Sequence, residues 1–83
     1  MLDCLITFRS ITRAQRGAEL LLQIGIRCRM QRTPAVLAEQ GCGYVLQVAA
    51  AQLRDAVETL RQNGVVFRRV YLMRDGAYQE MDV

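Results

Sequence analysis

SITRAQRGAELLLQIGIRCRM, Ser10 to Met30, is the stretch whose pattern decides the fold. Ser10 stands where a helix cap belongs, and Ile11, Ala14, Ala18, Leu21 and Leu22 follow at helical spacing. Gly25 then supplies a stop signal, so the spacing predicts a helix from Ile11 to Ile24. Ala14 and Ala18, with Gly17 beside them, are small enough to let that helix approach a sheet closely. Beyond the glycine the period changes from helical to two. Ile26, Cys28 and Met30 alternate with Arg27, Arg29 and Gln31, as in a strand with one wet face.

The same phrase returns 39 residues later: Ala14, Ala18, Leu21, Gly25, Ile26 and Cys28 are echoed by Leu53, Val57, Leu60, Gly64, Val65 and Phe67. Two helix-then-strand halves are implied, each with a strand ahead of it. Leu2 to Phe8 places Leu2, Cys4, Ile6 and Phe8 on one face of a first strand, and Tyr44 to Val48 reads as a third. Between them Arg32, Thr33 and Pro34 break the second strand, and Ala35 to Gln40 reads as a short helical turn. Val65 to Met73 reads as a fourth strand, with Asp75 and Gly76 turning the tail, Asp75 to Val83, into a short hairpin arm.

The expected architecture is α+β: a ferredoxin-like βαββαβ sandwich, a four-stranded antiparallel sheet with two helices on one face. Its first and third strands lie at the centre and its second and fourth at the edges. One domain, 1–83, is expected, with a core over 2–73 and a C-terminal arm over 74–83. Leu5 or Ile6, Leu21, Ile26, Leu46, Val57, Leu60 and Phe67 should fill the core, and Cys4 and Cys28 should be buried and unpaired.

The totals limit the chemistry. There is no histidine, which excludes histidine triads and imidazole metal sites, and three cysteines at 4, 28 and 42 match no zinc spacing. No cofactor or metal is expected. All eleven cations are arginine and the formal net charge is +3, a bias too mild to require nucleic acid. The third strand's lone aromatic, Tyr44, is a poor base-stacking platform, so nucleic-acid binding is not favoured. Asp3 comes too early for a signal peptide, and no apolar run reaches membrane-spanning length, which points to a cytoplasmic protein with no membrane partner.

What remains for chemistry is a thiol. Cys42 lies between Gly41 and Gly43, so little bulk surrounds its sulfur. In the expected topology the start of the third strand lies beside the end of the first, which brings Cys42 near the N-terminus of the first helix. There Ser10 and the helix amides, with Arg9, Arg13 and Arg32, would favour a thiolate or hold an anionic ligand. Thr33, Pro34, Gly41 and Gly43 would shape the loop.

Ile6 to Ser10, Ala14 and Ala18, Leu21 to Ile26, Arg32 to Pro34 and Cys42 to Tyr44 together resemble the selenium/sulfur carrier protein-like family of small bacterial proteins. The resemblance implies a ferredoxin-like domain in which Cys42 carries sulfur or selenium as a persulfide or selenide adduct. It also implies two partners, a donor such as a cysteine desulfurase and an acceptor protein. Two departures stand out: Glu39, Gln40 and Gly41 replace small polar residues ahead of the cysteine, and Ala49 to Ala51 lead into the second helix without a cap. Such a carrier is not an enzyme in the strict sense. The alternative is a non-enzymatic ligand- or partner-binding regulatory module with a structural cysteine, and Tyr71, Met73 and Tyr78 offer a surface for a partner or a homo-oligomer.

Overall fold

Both helices end by the same device, and it is the one the 39-residue echo encodes. At the first, Gly25 takes φ +80°, its N–H donates to the Leu22 carbonyl (3.1 Å), and the Ile26 N–H donates to the Leu21 carbonyl (2.9 Å). At the second, Gly64 takes φ +70°, with Gly64 N–H to Arg61 O (3.2 Å) and Val65 N–H to Leu60 O (2.9 Å). These are paired Schellman caps. The residues that close each, Leu21 with Ile26 and Leu60 with Val65, are all buried, so each cap also docks its helix on the core.

The computed structural model describes residues 2–38 and 43–83. The elements are β1 (Cys4–Phe8), α1 (Ile11–Gln23), β2 (Cys28–Arg32), a 3-10 turn (Ala35–Leu37), β3 (Tyr44–Val48), a second 3-10 turn (Ala50–Gln52), α2 (Leu53–Gln62), β4 (Val70–Arg74) and β5 (Ala77–Met81). The strands form one antiparallel sheet in the order β2-β3-β1-β4-β5. It is an α+β sandwich, broadly ferredoxin-like, with two helices packed on a five-stranded sheet rather than the expected four. The arm over 74–83 is therefore a strand. Asp75 and Gly76 both have positive φ (53° and 77°), the type I′ geometry that matches strand twist, so the chain folds straight back and β5 pairs along all of β4. β2 remains an edge, whereas β4 becomes interior.

The core lies between the helices and one side of the sheet. Cys4, Ile6 and Phe8 of β1 meet Leu46 and Val48 of β3, Ala14 and Leu21 of α1, and Ala56, Val57 and Leu60 of α2. Gly17 of α1 admits the closest approach: a Cβ there would lie 3.1 Å from Leu60 Cδ2, 3.2 Å from Leu46 Cδ1 and 3.3 Å from Phe8 Cζ. The other side of the sheet carries a small second cluster, Leu5, Val45 and Tyr71, covered by Leu37 from the 3-10 turn and by Tyr78 of β5.

Three expectations need correction. The fourth strand is not continuous from Val65: two residues, Arg68 and Arg69, face one, Thr7, which is the count of a β-bulge. Arg68 N–H donates to the Thr7 carbonyl and Thr7 N–H to the Arg69 carbonyl, both at 2.8 Å. The Thr7 hydroxyl accepts the Arg69 N–H at 3.0 Å, beside the shifted ladder. The extra residue flips the alternation, so Val65 and Phe67 face the helices before it and Val70 and Leu72 after it. Phe67 and Cys28, expected to be fully buried, are half-buried, because each lies toward the margin of the helix layer. β2 begins at Cys28 and runs through Arg32, so the break falls at Thr33 and Pro34. The lead-in to α2 keeps to expectation, since Gln52 at its N-cap makes no side-chain capping bond; Asp3 Oδ1 accepts the Ala50 N–H at 2.9 Å from 47 positions away, at the 3-10 turn ahead of the helix.

Candidate functional site

Register places the start of β3 between two strand ends. Tyr44 pairs with Phe8 on one side and with Arg32 on the other. Gly43, the next residue back, is held by the Thr33 N–H, which donates to its carbonyl at 3.1 Å. Two residues beyond Phe8, Ser10 takes extended backbone (φ −130°, ψ 153°) and its Oγ accepts the Arg13 N–H at 3.2 Å, capping α1. The first turn of α1 holds no acidic residue, so nothing on the helix itself offsets the positive end of its dipole. Phe8, Arg9, Ser10, Arg32, Thr33, Gly43 and the start of α1 thus meet at one end of the sheet, the juxtaposition the topology predicts.

Arg9, Arg13 and Arg32 are exposed, and the Arg32 guanidinium lies over the Tyr44 ring, 5.8 Å from its centroid. Tyr44 points to the helix side, where it packs against the core margin. Pro34 starts the 3-10 turn with its carbonyl accepting the Leu37 N–H at 2.9 Å. Gly43 shows no left-handed φ, and an added Cβ would meet no atom within 4 Å. Neither strain nor crowding requires glycine there. The Thr33 hydroxyl is a feature the sequence did not advertise: Oγ1 is buried with no hydrogen-bond partner among the described residues. Cys42 and Gly41, with Glu39 and Gln40, lie outside the described residues.

The other two thiols can be assessed directly. Cys4 and Cys28 are free, and each pairs with Val48 from opposite sides of β3. Two strand spacings, about 9.6 Å, separate them, beyond the roughly 7 Å reach of a disulfide. Burial pushes both thiols above the ordinary value of 9.0, and at Cys4 the neighbouring Asp3 carboxylate adds to the effect. The Cys28 thiol has only a long contact, 3.9 Å from Sγ to the Ala18 carbonyl. Neither carries a useful thiolate fraction at neutral pH.

Among the described residues no group of three or more histidine, cysteine, aspartate or glutamate side chains could hold a metal ion. A cleft of about 730 Å³ runs elsewhere, between α2 and the end of β5, lined by Leu53, Arg54, Val57, Arg61, Met81 and Val83. Its existence follows from two helices covering five strands. Inside it, Arg61 donates to the Val83 carbonyl at 2.6 Å. No described helix is long and apolar enough to cross a membrane.

A family model described as "Putative Se/S carrier protein-like" matches residues 3–72. No protein of curated function and no solved structure matches the chain. With the greater part of its 83 residues spanned by that model, the chain belongs to the Se/S carrier protein-like family.

Proposed function

We propose that the protein carries sulfur or selenium on Cys42. The observation that supports this most is the register that seats Gly43, the residue bonded to Cys42, between Thr33 and the capped start of α1. A thiol at that end would lie in the field of the α1 N-terminus, whose first turn holds no acidic residue, and of Arg9, Arg13 and Arg32, and each of these favours the anion. Burial raises the Cys4 and Cys28 thiols and so disfavours either as the nucleophile. The Cys42 thiolate attacks the outer sulfur of a donor persulfide. A new S–S bond forms at Cys42 as the donor's S–S bond breaks, and the donor departs as a thiolate. Delivery reverses the roles, with an acceptor thiolate taking the outer sulfur and Cys42 leaving as thiolate. Neither step needs an external oxidant or a general base. In the sequence Gly41 and Gly43 flank Cys42 and add no side-chain bulk beside it.

The test is intact-mass analysis after incubation with a cysteine desulfurase and cysteine. A gain of one sulfur atom, retained in the Cys4→Ala and Cys28→Ala variants and lost in Cys42→Ser, is expected. No adduct, or an adduct on Cys4 or Cys28, would replace the carrier reading with that of a non-enzymatic binding module whose exposed arginines grip an anionic partner.

A further inference from the structure

β2 is an edge of the sheet, so half of its backbone donors and acceptors have no strand to pair with. Its two faces differ in chemistry. Cys28 and Met30 lie on the helix side, as their pairing with Val48 and Leu46 requires, whereas Arg29, preceded two residues earlier by Arg27, lies on the opposite side. Both arginines are exposed and make no ion pair with a described residue.

The helix side of this edge is bordered by α1. The Cys28 Sγ contact with the Ala18 carbonyl fixes which stripe of α1 faces β2, and Ile11, Ala18 and Leu22 share that stripe at helical spacing. Ile11 is 40% exposed, Leu22 60% and Met30 37%, three large apolar side chains flanking one edge. Arginines alone guard an edge against pairing, and a guard gains nothing from an apolar shelf beside it.

We propose that the β2 edge and the adjoining α1 stripe form a docking strip for an extended segment of a partner protein, in which apolar and acidic residues alternate. The segment adds as a sixth strand. Its apolar side chains rest on Ile11, Leu22 and Met30, and its carboxylates face Arg27 and Arg29 on the other side. A second copy fits less well. Pairing β2 with β2 would bring both sets of arginines together, and pairing β2 with β5 is head-to-tail, leaving a free β2 and a free β5 edge on every pair. The proposal does not depend on the thiol chemistry.

The test uses the intact chain, uniformly labelled with nitrogen-15, and a blocked heptapeptide of alternating valine and glutamate. Expected are amide shifts confined to β2 and the Ile11, Ala18 and Leu22 stripe, with slowed hydrogen exchange at alternate amides of β2. Arg29→Glu should weaken binding by about tenfold or more, and Leu22→Gln should weaken it at an unchanged net charge. A valine-lysine peptide should bind Arg29→Glu better than the native chain. Retained β1 and β3 shifts in the same spectra establish that each variant is folded. Absence of binding at millimolar peptide, shifts centred on β5, equal binding of both peptides, or concentration-dependent association of the chain through β2 without peptide would each overturn the proposal.

Discussion

Replacing Gly17 by alanine tests how closely α1 is seated. Alanine in a helix interior is worth about 0.8–1.0 kcal/mol over glycine, so an unconstrained site would gain stability. Here the new methyl meets Leu60 at 3.1 Å, Leu46 at 3.2 Å and Phe8 at 3.3 Å. Against a carbon–carbon optimum beginning near about 3.5 Å, the shortfalls are about 0.2–0.4 Å on three sides, from α2, β3 and β1 together. No single rotamer change relieves all three, so side chains from three elements must each give way by a few tenths of an ångström in a packed core. Overpacking of this kind costs about 1–3 kcal/mol, which outweighs the propensity gain and leaves a net loss of about 1 kcal/mol. In a domain of this size that lowers the melting temperature by about 4–8 °C. Urea and thermal unfolding followed by circular dichroism should show it. Leu60→Val removes the nearest methyl, so the Gly17→Ala, Leu60→Val pair should be less damaging than the sum of its parts by about 0.5 kcal/mol or more. A stabilised Gly17→Ala variant, gaining the same amount in both backgrounds, would refute the close-packing argument.

Asp3→Ala removes the remote cap at Ala50 and should cost about 0.5–2 kcal/mol in urea unfolding; an unchanged midpoint would mean that water serves the Ala50 amide equally well. Thr7→Val keeps the shape and removes the hydroxyl that accepts the Arg69 N–H at the bulge, for a loss of about 1–3 kcal/mol, whereas Thr7→Ser should retain most of the stability. The raised thiols set an alkaline limit. Below 9.0 both are protonated whether folded or unfolded; above it the unfolded chain ionises first, binds fewer protons, and becomes favoured by up to about 1.36 kcal/mol per pH unit per thiol. Cys28→Ala should therefore show a shallower loss of stability between pH 9 and 10 than the native chain, and parallel curves would contradict the burial argument. Gly43→Ala should change stability by no more than about 0.5 kcal/mol. If glycine there keeps the way to Cys42 open, the variant should slow alkylation by bulky reagents more than by small ones, and equal slowing would remove that role.

What the sequence disclosed was local. The Leu21, Gly25, Ile26 phrase and its echo Leu60, Gly64, Val65 are caps written within six residues, and the two halves of the fold could be read from them. The alternation of β1 and the Asp75–Gly76 turn were equally plain. What stayed hidden depends on distance or on phase. Asp3 holds the Ala50 amide of a 3-10 turn half a chain away, the bulge at Arg68 and Arg69 inverts an alternation that would otherwise read straight through, and Ala77–Met81, legible as a hairpin arm, is too polar to declare itself a full fifth strand until β4 is beside it. At the site, topology alone brought Ser10, Arg9, Arg32 and Gly43 together. The stacking of Arg32 on Tyr44 and the buried Thr33 hydroxyl are side-chain outcomes with no linear signature.

The fifth strand has a consequence for solubility. Val70, Tyr71, Leu72 and Met73 form an uncharged run with high strand preference, the kind of segment that recruits other chains when its edge is bare. The family match ends at Leu72, inside that run, and the reversal at Asp75 and Gly76 brings the chain's own Ala77–Met81 alongside it. The edge then offered to neighbouring molecules carries Gln79 and Glu80, with Asp82 just beyond, in place of four adjacent apolar residues. β5 acts as a built-in gatekeeper, covering an apolar strand that would otherwise stand at the sheet edge with one that carries charge.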